Sequence, residues 1–308
     1  MKLCIQTGDI VDELGFEEGY RMIKDAGFTT IDWNLDHAWK MNTIIKANDL
    51  KELCIFEKSL PEIMDHYAEE LAFIKNNGLT VSQAHAPFPA YVEGRPDILE
   101  YAIKVYCGNI LFCNKIGCKK LVIHGISLFA TEQNKTPEDY KKMNMHLYES
   151  LIPTLQQTDI IVCLENLFTK NGSDFLEGTC SNPFEAVEYI DTLNKKAGKM
   201  CFGLCLDTGH LNLLHKSFRV YMPILGDRIK ALHIHDNDAS SDQHLAPYTG
   251  TIIWKDFING LKQIGYNGDL SFETFRQVTI KRVDKPVIMP FLKLIAQIGE
   301  YFKSELTN

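Results

Sequence analysis

Glu165, Asp207, His233 and Glu273 each close an apolar, strand-forming run in the second half of the chain. The runs are Ile160-Ile-Val-Cys-Leu-Glu165, Phe202-Gly-Leu-Cys-Leu-Asp207, Ile229-Lys-Ala-Leu-His233 and Leu270-Ser-Phe-Glu273. In each, β-forming hydrophobics lead directly into one polar residue with metal-ligand chemistry. Ligands on four separate strands converge only if the strands lie side by side with their C-terminal ends together, and in a parallel barrel that end carries the active site. The pattern predicts a divalent-metal site on a barrel rim. Such an ion, bound to the oxygens of a hydroxy-ketone, makes the neighbouring C–H acidic. If Glu165 and Glu273 flank that carbon, one removes the proton and the other returns one. Return to the opposite face inverts the centre, and return to the adjacent carbon isomerises aldose and ketose.

The elements that would position these residues alternate eight times between strand-like and helix-like segments. Strand candidates near Lys2-Leu-Cys-Ile-Gln, Thr30-Ile-Asp-Trp, Val81-Ser-Gln-Ala-His85 and Leu121-Val-Ile-His124 precede the four ligand-bearing runs. Amphipathic stretches follow them at 17–26, 61–77, 96–116, 137–156, 183–196, after Leu213, 254–264 and 286–302. Five open at or near a proline, which suits a first helical turn. Glycines at 27, 78 and 117 suit left-handed exits before the next strand. Strict alternation implies a parallel sheet with right-handed crossovers, and eight units close into a (β/α)8 TIM barrel. The first βα turn, Thr7-Gly-Asp-Ile, lacks the glycine-rich fingerprint often carried by an open doubly wound sheet. With no low-complexity linker, one α/β domain is expected over 1–308.

That frame gives further candidates. His85 and His124 end the third and fourth strands and point toward the same rim. His210 lies three residues beyond Asp207, and Asp242 and His244 follow the seventh strand. His235 alternates with His233 and faces the same side, as a substrate contact, a support for the ligands or a barrel-filling residue. Arg276 is either an anion-binding group or a solvated rim charge.

Bulk composition agrees with an enzyme in a reducing compartment. The 308 residues are 45% hydrophobic, enough for a full core, and the net charge of −8 argues against a polyanion as partner. Nine cysteines, many within apolar runs, read as reduced core thiols. The N-terminal run is too short for a signal peptide and no stretch is long enough to span a membrane, so a cytoplasmic protein is expected, without a membrane or nucleic-acid partner. A homo-oligomer is compatible with this reading.

In combination, His85-Ala-Pro, Glu165-Asn, Asp207-Thr-Gly-His210, His233-Ile-His-Asp236, Asp242-Gln-His244 and Phe272-Glu273-Thr resemble the signature elements of the xylose isomerase-like TIM barrels, a superfamily of sugar epimerases and isomerases that also includes endonuclease IV. In the sugar epimerases the resemblance implies one Mn²⁺ or similar ion on Glu165, Asp207, His233 and Glu273. The two glutamates then act as acid and base, and His210 binds the sugar. In endonuclease IV it implies three Zn²⁺ ions, with His85, His124, His210, Asp242 and His244 as additional ligands. The loops after the ligand strands are acidic or neutral, which favours a small carbohydrate over DNA. Ala246-Pro-Tyr-Thr-Gly250-Thr-Ile-Ile-Trp254 resembles a Pro-Gly-x-Gly-x-Ile-Asp-Trp element of the sugar-acting branch, departing from it at Tyr248 and Ile253. Trp33, His37, Trp39 and Phe88 are candidates for an apolar wall beside a sugar, or for packing. The leading expectation is a metal-dependent isomerase or epimerase of a sugar or sugar derivative. Its alternatives are a trinuclear-zinc phosphodiesterase and a metal-dependent lyase or dehydratase on a keto-sugar or inositol derivative.

Overall fold

Eight parallel strands alternate with helices in a computed structural model that describes residues 1–39, 41–47, 49–51, 53–127, 135–279 and 281–307. In chain order they are β1 (Leu3–Gln6), α1 (Phe16–Asp25), β2 (Thr30–Asn34), α2 (Ala68–Asn76), β3 (Thr80–His85), α3 (Pro96–Ile116), β4 (Lys120–Ile123), α4 (Pro137–Leu155), β5 (Ile161–Glu165), α5 (Pro183–Ala197), β6 (Phe202–Asp207), α6 (Phe218–Leu225), β7 (Ile229–His233), α7 (Trp254–Gln263), β8 (Leu270–Phe272) and α8 (Lys285–Thr307). The strands form one sheet in the order β8-β1-β2-β3-β4-β5-β6-β7. Just beyond β7, Ile234 makes a parallel bridge to Phe272 of β8, with Ile234 N–H donating to Ser271 O at 2.8 Å. The result is a nearly closed (β/α)8 barrel. No helix among the described residues is long and apolar enough to cross a membrane.

The chain divides into two compact units, one of Met1–Trp33, Glu69–Ser82 and Cys205–Asn308, the other of Asn34–Ala68 and Gln83–Leu204. In the first, β1 is paired on both sides, Leu3 to Leu270 and Ile5 to Phe272 on one, Ile5 to Ile31 and Gln6 to Asp32 on the other. In the second, β4 pairs with β3 and β5 through Leu121 to Ala84 and Leu121 to Val162. A strand covered on both faces has no solvent side, which is why these runs read as continuous hydrophobics and not as alternation. Leu121, Val122, Ile123, Val162, Cys163 and Leu164 are all buried.

Helix starts follow the proline rule. Pro137 stands behind Thr136, which closes a capping box with Asp139, and Pro183 stands behind Asn182, whose side chain accepts Phe184 N–H at 3.0 Å. The expected exits at Gly27, Gly78 and Gly117 have φ of 110°, 69° and 82°, a region that only glycine enters without strain.

Three features depart from the sequence expectation. The stretch 61–77 breaks at Tyr67 into Leu60–His66 and α2, where the Tyr67 ring packs between Phe56 (5.6 Å) and Phe112 (5.1 Å). An antiparallel hairpin, Phe168–Asn171 with Asp174–Glu177, follows β5, and a short helix, Thr208–Leu213, follows β6 directly.

Candidate metal centre

In the second unit, His85 ends β3, His124 immediately follows β4 and Glu165 ends β5. One ligand atom from each lies within 4.8 Å of the others. A ring nitrogen facing a carbonyl can only be a donor, so the 2.8 Å contact of His85 Nδ1 with Ala86 O assigns that tautomer. His85 Nε2 lies 3.0 Å from His124 Nε2, which in turn lies 2.9 Å from Glu165 Oε2. The three side chains form one cluster of close polar contacts around the buried Glu165 carboxylate.

In the first unit, Asp207 is both the last residue of β6 and the N-cap of the following helix. Its Oδ1 accepts His210 N–H at 2.7 Å, and its Oδ2 lies 2.9 Å from His235 Nε2. His233 ends β7 with Nε2 3.2 Å from Asp32 Oδ2 and Nδ1 3.2 Å from Glu273 Oε2. Asp32 also accepts Ser271 Oγ–H at 3.3 Å, and Gln6 Nε2 donates to Glu273 Oε1 at 3.2 Å. The expected ligand His233 is thus oriented by a carboxylate behind it, an arrangement that fixes the ring tautomer and raises its basicity toward a cation.

His244 Nδ1 contacts Glu273 O at 3.0 Å and its Nε2 contacts Asp242 Oδ2 at 2.9 Å. Two acceptors call for two N–H groups. Burial opposes charge on this imidazole, but Asp242 outweighs it and pushes the pKa up from 6.5 to about 9. Burial likewise opposes charge on Asp242, and the nearby His244 and His210 outweigh it, holding the carboxyl well below the usual carboxylate range. His244 lies flat between His235 (4.0 Å, 11°) and Phe275 (4.1 Å, 28°), with a backbone φ of 47° that stores strain at the cluster. His235 is fully buried and its Nδ1 has no hydrogen-bond partner among the described residues. A Cβ on Gly209 would come within 2.0 Å of that ring, so glycine is required beside it. The loop bearing Asp242 and His244 is tied by Asp236, which accepts Trp254 Nε1–H at 3.0 Å and Ile252 N–H at 3.2 Å.

Asp32, Asp207 and Glu273 are buried carboxylates whose partners named above are imidazoles, two amides and a hydroxyl. Buried carboxylates need compensating positive charge, and oxygen donors with one imidazole suit a divalent ion of the Mn²⁺ or Zn²⁺ kind. The donor set fits the group that the sequence pattern implies. Asp207, His233 and Glu273 each offer a ligand atom within 4.8 Å of the others, as do Asp207, His210 and His235, and also His235, His244 and Glu273.

Other expectations fare differently. Arg276 is an exposed residue on a single helical turn, Phe275–Val278. Trp33 and Trp39 are buried packing residues, Trp39 stacked on Tyr101, and His37 is tied to Tyr67 Oη at 3.1 Å. Of that proposed wall only Phe88 remains a large exposed hydrophobic. Asp32, Gln6 and Phe275 were not among the sequence candidates. Asp32 carried the same signal as the ligands, a carboxylate within the apolar run of a strand.

The fold is a (β/α)8 barrel whose strand ends carry buried carboxylate–imidazole clusters. The chain belongs to the xylose isomerase-like TIM barrel family, whose profile matches residues 20–288. The D-psicose 3-epimerase of Enterocloster bolteae is 26% identical over 258 residues, 80% of each chain. A Sinorhizobium fredii protein known as y4fM is 24% identical over 283 residues, 85% of this chain and 83% of that one. Among solved structures, the D-psicose 3-epimerase of Clostridium cellulolyticum H10 with D-tagatose superposes with a TM-score of 0.71 at 16% identity, covering 98% of this chain and 99% of that one. This last likeness is one of fold.

Proposed function

We propose that the chain is a cytoplasmic, divalent-metal-dependent epimerase or isomerase of a small carbohydrate, acting as one catalytic domain over 1–308. The carrying observation is the buried set Asp207, His233 and Glu273, with His233 braced by Asp32. Glu165 is assigned as the fourth ligand because it ends β5, the sheet neighbour of β6. The epimerase names of a sequence relative and of a structural neighbour agree with this reading.

When bound, the ion supplies the Lewis acidity that makes a C–H beside a carbonyl exchangeable. Glu273 is oriented for proton transfer by Gln6, whose side-chain amide donates to Oε1 at 3.2 Å. Glu165 has its Oε2 2.9 Å from His124 Nε2, close enough for the imidazole to orient the carboxylate. One glutamate removes the proton and the other delivers one. His210, His235 and His244 supply polar contacts for substrate hydroxyls, and burial of the cluster keeps bulk water from competing.

Metal analysis of the purified protein should give one Mn²⁺ or Zn²⁺ per chain, lost in Asp207→Ala while the circular dichroism of the fold persists. With D-psicose, D-tagatose and D-fructose in D₂O, solvent deuterium should enter the product at the reacting carbon, and Glu273→Gln should abolish that exchange. Turnover without deuterium would instead indicate a hydride shift. A second reading, the trinuclear-zinc phosphodiesterase, is favoured by one specific observation, the gathering of His85 and His124 with Glu165 and of His210 with Asp207. Three Zn²⁺ per chain would select it.

A further inference from the structure

We infer that Phe88 is a stacking platform for the C–H face of the carbohydrate, a specificity residue that rests on the proposed carbohydrate function. Phe88 lies three residues beyond His85, and 42% of it is exposed. An exposed phenylalanine on a loop is ordinarily free to turn, but this one is held. Its own N–H donates to Asp36 Oδ1 at 3.3 Å, and the preceding carbonyl, Pro87 O, accepts from the fully buried Tyr106 Oη at 2.7 Å. The ring lies over His124 with centroids 4.5 Å apart and an interplanar angle of 35°, and meets His85 edge-on at 5.5 Å. Both imidazoles belong to the cluster around Glu165.

A rigid aromatic that borders hydrogen-bonding groups and still shows part of its face to solvent has the makings of a sugar subsite. Hydroxyls are met by the imidazoles, while the polarised C–H groups of the same molecule meet the electron-rich ring. Charge recognition is not what this loop offers. Arg95, at the end of the loop after β3, is paired with Asp97 at 2.6 Å, and Lys135, beyond β4, with Glu93 at 2.6 Å, so both are already engaged. Burying the exposed part of the ring adds hydrophobic stabilisation that a core phenylalanine has already gained on folding.

Saturation-transfer NMR with D-fructose, D-tagatose and D-psicose at millimolar concentration tests this directly. Irradiating the aromatic protons of the intact protein should saturate sugar C–H protons. The effect should weaken in Phe88→Ala, as the bound fraction falls, and return in Phe88→Trp, with Tm and metal content the same in all three. Turnover should follow, with KM raised about tenfold in Phe88→Ala and kcat nearly kept, as for a contact made equally in ground and transition states. Epimer formation by the wild type is read separately and reports on the function itself. Wild-type turnover with unchanged KM in Phe88→Ala would overturn the platform and leave the function standing. Absence of saturation transfer to all three sugars in the wild type would overturn the platform as well.

Discussion

His244 is the residue whose protonation can be argued most directly. It sits between a backbone carbonyl and the Asp242 carboxylate, and both contacts require an N–H. The raised imidazole pKa means that its stabilising contribution is complete below about 6.5, the ordinary value, and is lost as pH rises through about 9. The depressed Asp242 carboxyl has the opposite sign, contributing above about 3.9 and losing that contribution only as pH falls through its lowered folded value. The pair therefore stabilises the metal-free fold most between about pH 4 and 6.5. In chelator-treated protein, the Tm difference between wild type and His244→Gln should be largest near pH 6 and shrink toward pH 9. A difference constant across that range would mean that His244 is not held as an imidazolium. Position in the chain was enough to nominate His244, which stands in Asp242-Gln-His244 beyond a strand. The inversion of its backbone and its insertion between His235 and Phe275 were not readable, because both arise from packing against residues 9 positions before and 31 positions after it.

At the scale of elements, the strand ends were legible because burial on both faces makes each strand a continuous apolar run, so the first polar residue after it marks the rim. The breaks were less so. Periodicity carries 61–77 as one helix, and the break at Tyr67 coincides with its ring packing between Phe56, 11 positions before it, and Phe112, 45 positions after it. The hairpin after β5 was within reach, since Asn171-Gly172 flanked by Phe168-Thr and Phe175-Leu is a strong local turn signal. A count of eight βα units passes over it. Long-range packing also decides the sign of a helix substitution. Gly108 lies in the middle of α3, where alanine would ordinarily be favoured by about 1 kcal/mol. Its Cβ would stand 1.8 Å from Phe56 O and 2.9 Å from Phe56 C, backbone atoms that cannot rotate away. Overpacking of that kind costs about 1–3 kcal/mol, and it also pushes on the Phe56 ring stacked with Tyr67. Gly108→Ala should lower Tm by several degrees in a thermal melt, and a rise in Tm would show that α3 is free to move away from Phe56.

For the whole molecule, the deciding quantity is charge. The composition of 32 lysines and arginines against 40 aspartates and glutamates leaves −8, and a duplex-binding protein gains its affinity by neutralising phosphates with cations. Three cations of the loops beyond the strands are already committed: Arg95 to Asp97, Lys135 to Glu93 and Lys281 to Glu13 at 3.2 Å. Recruiting them to DNA would break ion pairs as it made new ones. The imidazole and carboxylate positions at the strand ends are complete enough to hold more than one ion, so ligand chemistry alone leaves a phosphodiesterase open, and the electrostatics separate the two activities. Abasic duplex DNA should be neither retained nor incised at physiological salt, even with Zn²⁺ supplied, in a gel assay with enzyme at nanomolar concentration. Weak retention that appears only at low salt would be the non-specific residue of Arg276 and Arg282, and should occur without strand cleavage. Incision at substoichiometric enzyme, abolished in Glu165→Ala, would overturn the carbohydrate reading, because it would require the strand-end cluster to bind a phosphodiester despite the net charge of −8.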